Sequence, residues 1–343
     1  MSTCAAGGVA IISSAEVDAA LRTLSLASLL LSQARAFRSL STAQCPPRIS
    51  LVTPTHTQLF MPTHTSSTTV IKIVSVPLVS RGIPGVNLVF GDDGCVSHVV
   101  NSTILTAVRT AAGSVLSTIM ALGRQEVELV VFGDGLQAVL HIALHARFYT
   151  LTTTTIVVGQ HRRLSPTEVE RKKEEMVRQL SGLGCGVEIE VVTEVDAVRS
   201  AVGSADVVCT CTPSRKVLFE EEWVRGRTHV CAVGSYTHQM RELPPGLVKQ
   251  AATKGALVVD SVDACRTEAG CLQPLDDEQW GRVRQMADLL PNPNSGEEEW
   301  MQHVEGRWSN EGVSVFKSVG VATQDAEITR LIVDTAQSTR IAF

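Results

Sequence analysis

The sequence is poor in aromatic residues and has no surplus of positive charge. Aromatic side chains make up 4% of its 343 residues, and 35 acidic residues against 30 basic ones give a formal net charge of −5. Proteins that bind nucleic acids use clustered basic residues and, for single strands, aromatic side chains on which bases stack. We therefore expect no nucleic-acid partner.

Long apolar runs are also missing. The run Leu24–Leu31 is short and interrupted by serines, whereas a membrane-spanning helix needs about 20 apolar residues. The first residues, MSTCAAGGVAIISS, lack the basic region and the long apolar stretch of a secretory signal. These features predict a cytoplasmic protein with no membrane partner.

The nine cysteines form no CxxC pair, and Cys209 and Cys211 are one residue closer than the usual zinc spacing. We expect reduced, mostly buried thiols. His56 and His64 flank the Met61-Pro62 pair and could reach a binding site, although surface-loop positions are the simpler interpretation. Two histidines without a third ligand do not make a zinc site, so no metal is expected.

What is present is a change of pattern along the chain. A helical segment over residues 14–40 is followed by short β-rich runs up to about residue 100, typical of an antiparallel meander, and by a second helical segment to about residue 122. After it, apolar β-branched strands alternate with helices, which predicts a doubly wound parallel sheet. The predicted strands are 127–133, 154–159, 188–192, 206–212, 229–235 and 256–261.

The first of these strands ends in a glycine turn, Gly133-Asp134-Gly135-Leu136-Gln137-Ala138. It fits G-x-G-x-x-[GA], follows an apolar strand and opens a helix, which is the context that a dinucleotide site requires. The first glycine permits the tight turn, the second allows the pyrophosphate to approach, and the alanine lets helix and strand pack closely. An ordinary strand–helix turn is the alternative.

The second strand is followed by Gly159-Gln160-His161-Arg162-Arg163, without the acidic residue that would bind the ribose 2′-hydroxyl of NAD. Arg162 or Arg163 could instead pair with the 2′-phosphate of NADP, unless the segment is only a solvated basic loop. NADP(H) is therefore favoured, and NAD(H) stays possible.

Several motifs in order resemble the ornithine cyclodeaminase/μ-crystallin family. They are PPR (46–48), MP (61–62), Lys72, LTAVRTAA (105–112), FGDGLQA (132–138), CTPSRKVL (211–218), AVGSYTHQMREL (232–243), VVDS (258–261), EAG (268–270) and VFKSVGVATQD (315–325). The resemblance implies an α/β fold in which residues 119–318 form a Rossmann domain. Residues 1–118 with 319–343 would form a smaller α+β domain that binds substrate and makes a homodimer.

By this resemblance Arg48 and Arg109 would bind the carboxylate of a small amino-acid-derived substrate, and Lys72 would lie beside the reacting nitrogen. The chemistry is reasonable in itself, because fixed cations hold and orient a carboxylate. Lys72 is the sole charge in the apolar run TVIKIVSV, and a buried lysine with a lowered pKa could donate a proton to an imine. An exposed Lys72 and an intersubunit ion pair of Arg109 are the alternatives.

The resemblance further implies that the loop with Thr212 and Ser214 lines the nicotinamide site and that Ser318 and Gly320 close over the cofactor. Two acidic residues of the ornithine-cyclising members are missing, because Leu59 and Ser235 stand in their places. The sequence therefore predicts an NAD(P)H-dependent reductase or dehydrogenase that acts on the C=N or C–N bond of a cyclic ketimine or an opine-type conjugate. A cyclodeaminase with bound NAD and a crystallin-like, NADPH-dependent binding protein are the alternatives.

Overall fold

The structure, a computed structural model, describes residues 8–78, 82–159, 164–292, 296–308 and 312–341. The chain divides into two compact units. The first unit comprises Met1–Arg109 and Val321–Phe343, and the second is Thr110–Gly320. The second unit is thus inserted, in sequence, between the two segments of the first.

The strands and helices of the described residues are numbered in chain order. The strands are β1 (Val9–Ile12), β2 (Ile49–Val52), β3 (His56–His64), β4 (Thr69–Pro77), β5 (Gly85–Phe90), β6 (Val96–Asn101), β7 (Glu126–Phe132), β8 (Thr150–Val157), β9 (Glu190–Val192), β10 (Val207–Thr210), β11 (His229–Ala232), β12 (Leu257–Val259), β13 (Arg284–Gln285), β14 (Ser314–Lys317) and β15 (Thr339–Ile341). The helices are α1 (Ser14–Thr23), α2 (Leu26–Ser39), α3 (Leu105–Ala121), α4 (Leu136–His145), α5 (Pro166–Gly182), α6 (Val195–Ser204), α7 (Pro245–Thr253), α8 (Val262–Glu268), α9 (Asp277–Trp280), α10 (Met286–Leu289), α11 (Glu297–Val304) and α12 (Ala322–Thr335).

The sheet of the first unit contains the predicted meander. Strands β2 to β6 pair antiparallel in succession, β1 pairs parallel with β6, and β15 pairs antiparallel with β1. On β4, side chains alternate between partly exposed and buried positions, so Lys72 shares the buried face with Val70 and Val74. Helix α12 packs against β3 and β4 and against α2.

The second unit is built on a parallel sheet, which within the described residues has the order β13-β12-β14-β11-β10-β7-β8-β9. From β7 the chain first proceeds through β8 to β9 and then returns to the other side of β7 with β10. Ligands of doubly wound folds bind at the carboxyl ends of the strands where the order reverses, which here is between β7 and β10. The predicted α/β class with a Rossmann-type sheet is confirmed.

Local sequence signals favour the start of helices α5 and α12. The Ser165 hydroxyl caps α5 in a reciprocal capping box with Glu168, and Pro166 occupies the first turn. In α12 the first turn carries Asp325, whose negative charge suits the helix N-terminus.

The expectation that the cysteines are reduced is wrong at one position. Seven cysteines of the described residues are free thiols, four of them buried, but Cys95 is disulfide-bonded. Sequence spacing cannot reveal which thiols the fold brings together.

No helix in the described ranges is long and apolar enough to cross a membrane. No group of three or more His, Cys, Asp or Glu residues among them could hold a metal ion.

Candidate active site

The glycine turn links β7 to α4 at the switch point of the second unit. Gly133 has a φ of +117°, and a Cβ atom there would come within 2.9 Å of the carbonyl oxygen of Cys211, in the loop after β10. Its own amide donates to the carbonyl of Val157 at the end of β8 (3.0 Å). Only glycine tolerates both the left-handed conformation and this close approach of backbone.

The rest of the turn has the features of a phosphate-binding helix start. Gly135 is the N-cap of α4, has no side-chain cap, and faces open space where a Cβ atom would be. Ala138 is fully buried, Leu136 is exposed, and the Gln137 side-chain oxygen is buried without a hydrogen-bond partner in the described part of the chain. Uncapped amides at a helix N-terminus, approached over a glycine, fit the pyrophosphate of a dinucleotide.

Asp134, between the two glycines, forms an ion pair with Lys172 of α5. Their side chains are 22% and 11% exposed, respectively. Sequence reasoning placed Asp134 in the cofactor site through its motif but gave Lys172 no role. Arg162 and Arg163 lie outside the described residues.

The hydroxyl groups of the other proposed cofactor residues are used within the protein. Thr212 donates its hydroxyl and its amide to Glu242 Oε1 (2.9 and 2.8 Å), and the Ser214 hydroxyl donates to the carbonyl of Lys216 (2.5 Å). These bonds hold the loop after β10 at the switch point. Glu242 is fully buried, and burial raises the pKa of its carboxyl group.

The carboxylate of Asp260 binds the segment after β14. Asp260 Oδ2 accepts from the Ser318 hydroxyl (2.7 Å) and from the amides of Val319 (2.9 Å) and Gly320 (2.7 Å). Asp260 is fully buried, and its partners fix the backbone of this loop. Sequence reasoning missed both Asp260 and Glu242, although each lies in a motif quoted above.

In the first unit, Lys72 and Arg109 converge on one carboxylate, Asp325. Lys72 Nζ lies 2.7 Å from Asp325 Oδ2, and Arg109 Nε lies 3.3 Å from Asp325 Oδ1. Arg109 Nη1 also donates to Gln324 Oε1 (2.9 Å), and Gln324 Nε2 donates to Gln33 Oε1 (3.1 Å). Lys72, Arg109 and Asp325 are 2%, 6% and 1% exposed, so the alternative of an exposed Lys72 does not apply, and Arg109 has a carboxylate partner within its own chain.

Burial lowers the pKa of Lys72 to about 8. The Asp325 carboxylate opposes this effect, and the charges of Arg109 and Arg48 add to it. The charge of Arg48, a half-buried residue just before β2, therefore acts on the same ammonium group. Asp325 and Gln324 were missed as site residues, and their signal was the acidic residue at the end of the motif VFKSVGVATQD.

Lys72 lies opposite Met61 of β3 and Asn87 of β5 in the sheet. The Met61-Pro62 motif thus marks the strand that flanks the lysine. Leu59 is on the same strand and faces Val74 in register. His56 and His64, at the ends of β3, hydrogen-bond through Nδ1 to threonine hydroxyls, and nothing here gives them a further role.

Ser235 is fully buried, and its hydroxyl is placed to donate to the carbonyl of Met240 (3.3 Å) and to Cys271 Sγ (3.3 Å). At the place where ornithine-cyclising members carry an aspartate, this chain has an inward-turned hydroxyl without a charge. The geometry therefore adds to the sequence argument against deamination of ornithine.

A Rossmann-type sheet with a glycine turn of the dinucleotide-binding pattern is typical of nicotinamide-dependent oxidoreductases. The chain belongs to the ornithine cyclodeaminase/mu-crystallin family, whose model matches residues 10–340. The resemblance stated from the motifs is thereby confirmed.

Three relatives illustrate the similarity. A Delta(1)-pyrroline-2-carboxylate reductase of Paracoccus denitrificans is 29% identical over 258 residues, covering 74% of each chain. A ketimine reductase mu-crystallin of Macropus fuliginosus is 24% identical over 246 residues, covering 72% of this chain and 67% of the relative. The structure of Thermococcus litoralis Delta(1)-pyrroline-2-carboxylate reductase in complex with NADH and L-proline matches with a TM-score of 0.77 and 23% identity, over 97% of this chain and 100% of the other.

Proposed function

We propose that this chain is an NAD(P)H-dependent reductase that reduces the C=N bond of an imine derived from an amino acid, with a carboxylate next to the reacting carbon. The class of activity agrees with the reductases among its relatives. Cyclic ketimines come first as substrates, and opine-type conjugates second. The observation that carries the proposal is the buried cluster of Lys72, Arg109 and Asp325.

The charge balance of the cluster favours an anionic substrate. Arg48 and Arg109 carry positive charge near Lys72, and Asp325 is the carboxylate that opposes them. Within the described residues Arg109 donates through Nη1 to Gln324, while its Nε lies 3.3 Å from Asp325 Oδ1 as an ion pair without a hydrogen bond, so the guanidinium has donors left for a carboxylate. We assign Arg48 and Arg109 to holding the substrate carboxylate.

Lys72 is proposed to give its proton to the imine nitrogen. A pKa of about 8 leaves most of the ammonium protonated at neutral pH and makes it a better acid than an exposed lysine. Protonation of the nitrogen makes the neighbouring carbon more electrophilic. The nicotinamide supplies the hydride when the cofactor is bound.

Residues 133–138 are proposed to hold the dinucleotide, with the loops containing Thr212, Ser214, Ser318 and Gly320 beside them. Because the hydroxyl groups of these loops are engaged internally, we expect them to contribute backbone groups and shape. NADP(H) is proposed as the preferred cofactor, since the segment after β8 has Arg162 and Arg163 and no acidic residue.

The test is oxidation of NADPH and NADH by the purified protein with cyclic imines carrying a 2-carboxylate, and with 2-oxo acids plus amines. We expect turnover with at least one cyclic ketimine and a lower KM with NADPH. Lys72→Met should abolish turnover while dinucleotide binding persists. Ammonia release from ornithine or lysine without imine reduction would favour the cyclodeaminase alternative, and absence of turnover with tight NADPH binding would favour a binding protein.

A further inference from the structure

The Asp134–Lys172 ion pair joins the glycine turn of the second unit to helix α5. Asp134 is in the turn after β7, and Lys172 is on α5, the helix that follows β8. The turn is hydrogen-bonded to the end of β8 through the Gly133 amide and the Val157 carbonyl. In a doubly wound fold the end of this second strand is the side on which the adenosine ribose binds.

A carboxylate in this turn needs an explanation, because it lies beside amides that fit phosphate. An unpaired Asp134 would repel a pyrophosphate and still more a 2′-phosphate. Lys172 cancels that charge, and with a side chain only 11% exposed it is held close to the turn. The pair therefore offers two groups on one site, a carboxylate that can accept from a hydroxyl and an ammonium that can donate to a phosphate.

We propose that Asp134 and Lys172 together determine whether the dinucleotide carries a 2′-hydroxyl or a 2′-phosphate. Asp134 favours NAD(H) by accepting from the ribose 2′-hydroxyl. Lys172 favours NADP(H) by pairing with the 2′-phosphate. The inference rests on dinucleotide binding in the proposed function, but not on the imine chemistry.

The two side chains should act in opposite directions on the cofactor preference. In Asp134→Asn the repulsion of a 2′-phosphate is removed, so the ratio of the Kd for NADPH to the Kd for NADH should fall about tenfold. In Lys172→Met the ratio should rise by about tenfold, because the ammonium that would pair with the 2′-phosphate is removed while the Asp134 carboxylate stays. Lys172→Arg should keep the wild-type ratio within about threefold, since the charge and the phosphate-binding geometry are retained.

The measurement is fluorescence titration of the purified protein with NADPH and NADH, repeated with adenosine 2′,5′-bisphosphate and 5′-AMP, which carry no nicotinamide. The matched control is Lys173→Met, which removes the adjacent lysine of the same helix and should leave the ratio unchanged. Thermal unfolding checks that each variant is folded, and if Asp134→Asn is not, Asp134→Ser replaces it.

Opposite shifts of the ratio in the two variants support the proposal. A ratio that moves less than about twofold in both, or in the same direction in both, overturns it. A wild-type protein that binds none of the four nucleotides contradicts the proposed function itself. That result is distinct, because it appears before any substitution is made.

Discussion

At the scale of single residues, the proton on Lys72 is controlled by its neighbours. Burial and two arginines destabilise the ammonium, and Asp325 stabilises it at a distance of 2.7 Å. Since the proposed step needs the protonated form, kcat/KM should be level below the pKa of about 8 and fall as the pH rises through it. A neutral side chain at position 325 removes the stabilising charge.

We therefore expect Asp325→Asn to lower the Lys72 pKa further and to move the alkaline limb of the kcat/KM profile to lower pH by about one unit or more. The matched control is Asp334→Asn on the same helix, because that carboxylate is 58% exposed and should leave the limb in place. An alkaline limb of the kcat/KM profile that is unchanged in Asp325→Asn would contradict the assignment of Lys72 as the acid.

Arg48 offers a second test of carboxylate binding, at a residue that is half-buried whereas Arg109 is buried. Arg48→Ala should raise KM for a 2-carboxylated cyclic imine about 100-fold and change kcat less. The same imine without its carboxylate should show almost no difference between variant and wild type. Arg38→Ala, at an exposed position of α2, is the control, and an equal loss with both imines would remove Arg48 from the carboxylate site.

At the scale of elements, the sequence predicted the meander, the alternation of strands and helices, and the turn at 133–138, because each depends on local periodicity and turn chemistry. It did not predict that β14 inserts between β11 and β12, since parallel pairing joins segments far apart in the chain. Asp325 was missed for the same reason. Its partner Lys72 is on a distant strand, and only packing of α12 on β4 brings the two together.

The two glycines of the turn differ in what a methyl group would disturb. Gly133→Ala adds a Cβ atom within 2.9 Å of a carbonyl oxygen at a φ of +117°, so it should cost about 1–3 kcal/mol of stability and lower the Tm. Gly135→Ala meets open space, so its Tm should stay close to wild type. We expect its Kd for NADPH to rise at least tenfold, because the methyl group occupies the approach of the pyrophosphate.

Nucleotide titration and thermal unfolding of the same two variants separate these effects. A Gly135→Ala variant with normal affinity for both dinucleotides would show that the turn does not receive the pyrophosphate. A Gly133→Ala variant of normal stability would mean that the backbone around Cys211 adjusts more readily than its geometry suggests.

At the scale of the whole molecule, the domain bounds taken from the motifs, residues 119–318 for the Rossmann domain, stay a prediction, beside a division of the structure into units at Thr110–Gly320. The expected boundary at residue 118 and the observed division at Arg109 both fall within α3. A helix that continues from one unit into the next gives no break in hydrophobic pattern or composition. Charge partners inside each unit, such as Lys172 for Asp134, are equally invisible in the sequence, because they depend on which faces of distant elements meet.

The homodimer expected from the sequence is also a property of the whole molecule, and β2 is the element that supports it. This strand is at the edge of its sheet among the described residues, and Ile49, Leu51 and Val52 are 64%, 53% and 73% exposed. An apolar edge strand of this kind favours association with another chain. We propose that a second copy of this chain covers β2.

Sedimentation velocity at micromolar concentration should therefore find a dimer for the wild type, and Leu51→Lys with Val52→Lys should shift it to monomer by placing two charges in the contact. The control is Val195→Lys, which alters a valine that is 66% exposed at the start of α6 and should leave the dimer intact. A wild-type monomer at these concentrations would contradict the homodimer. A dimer that persists in the double variant would show that the interface does not include β2. The double variant could lose both dimerisation and turnover while its Tm is retained. Pairing through β2 would then also be needed for substrate binding, since the segment carrying Arg48 leads directly into this strand.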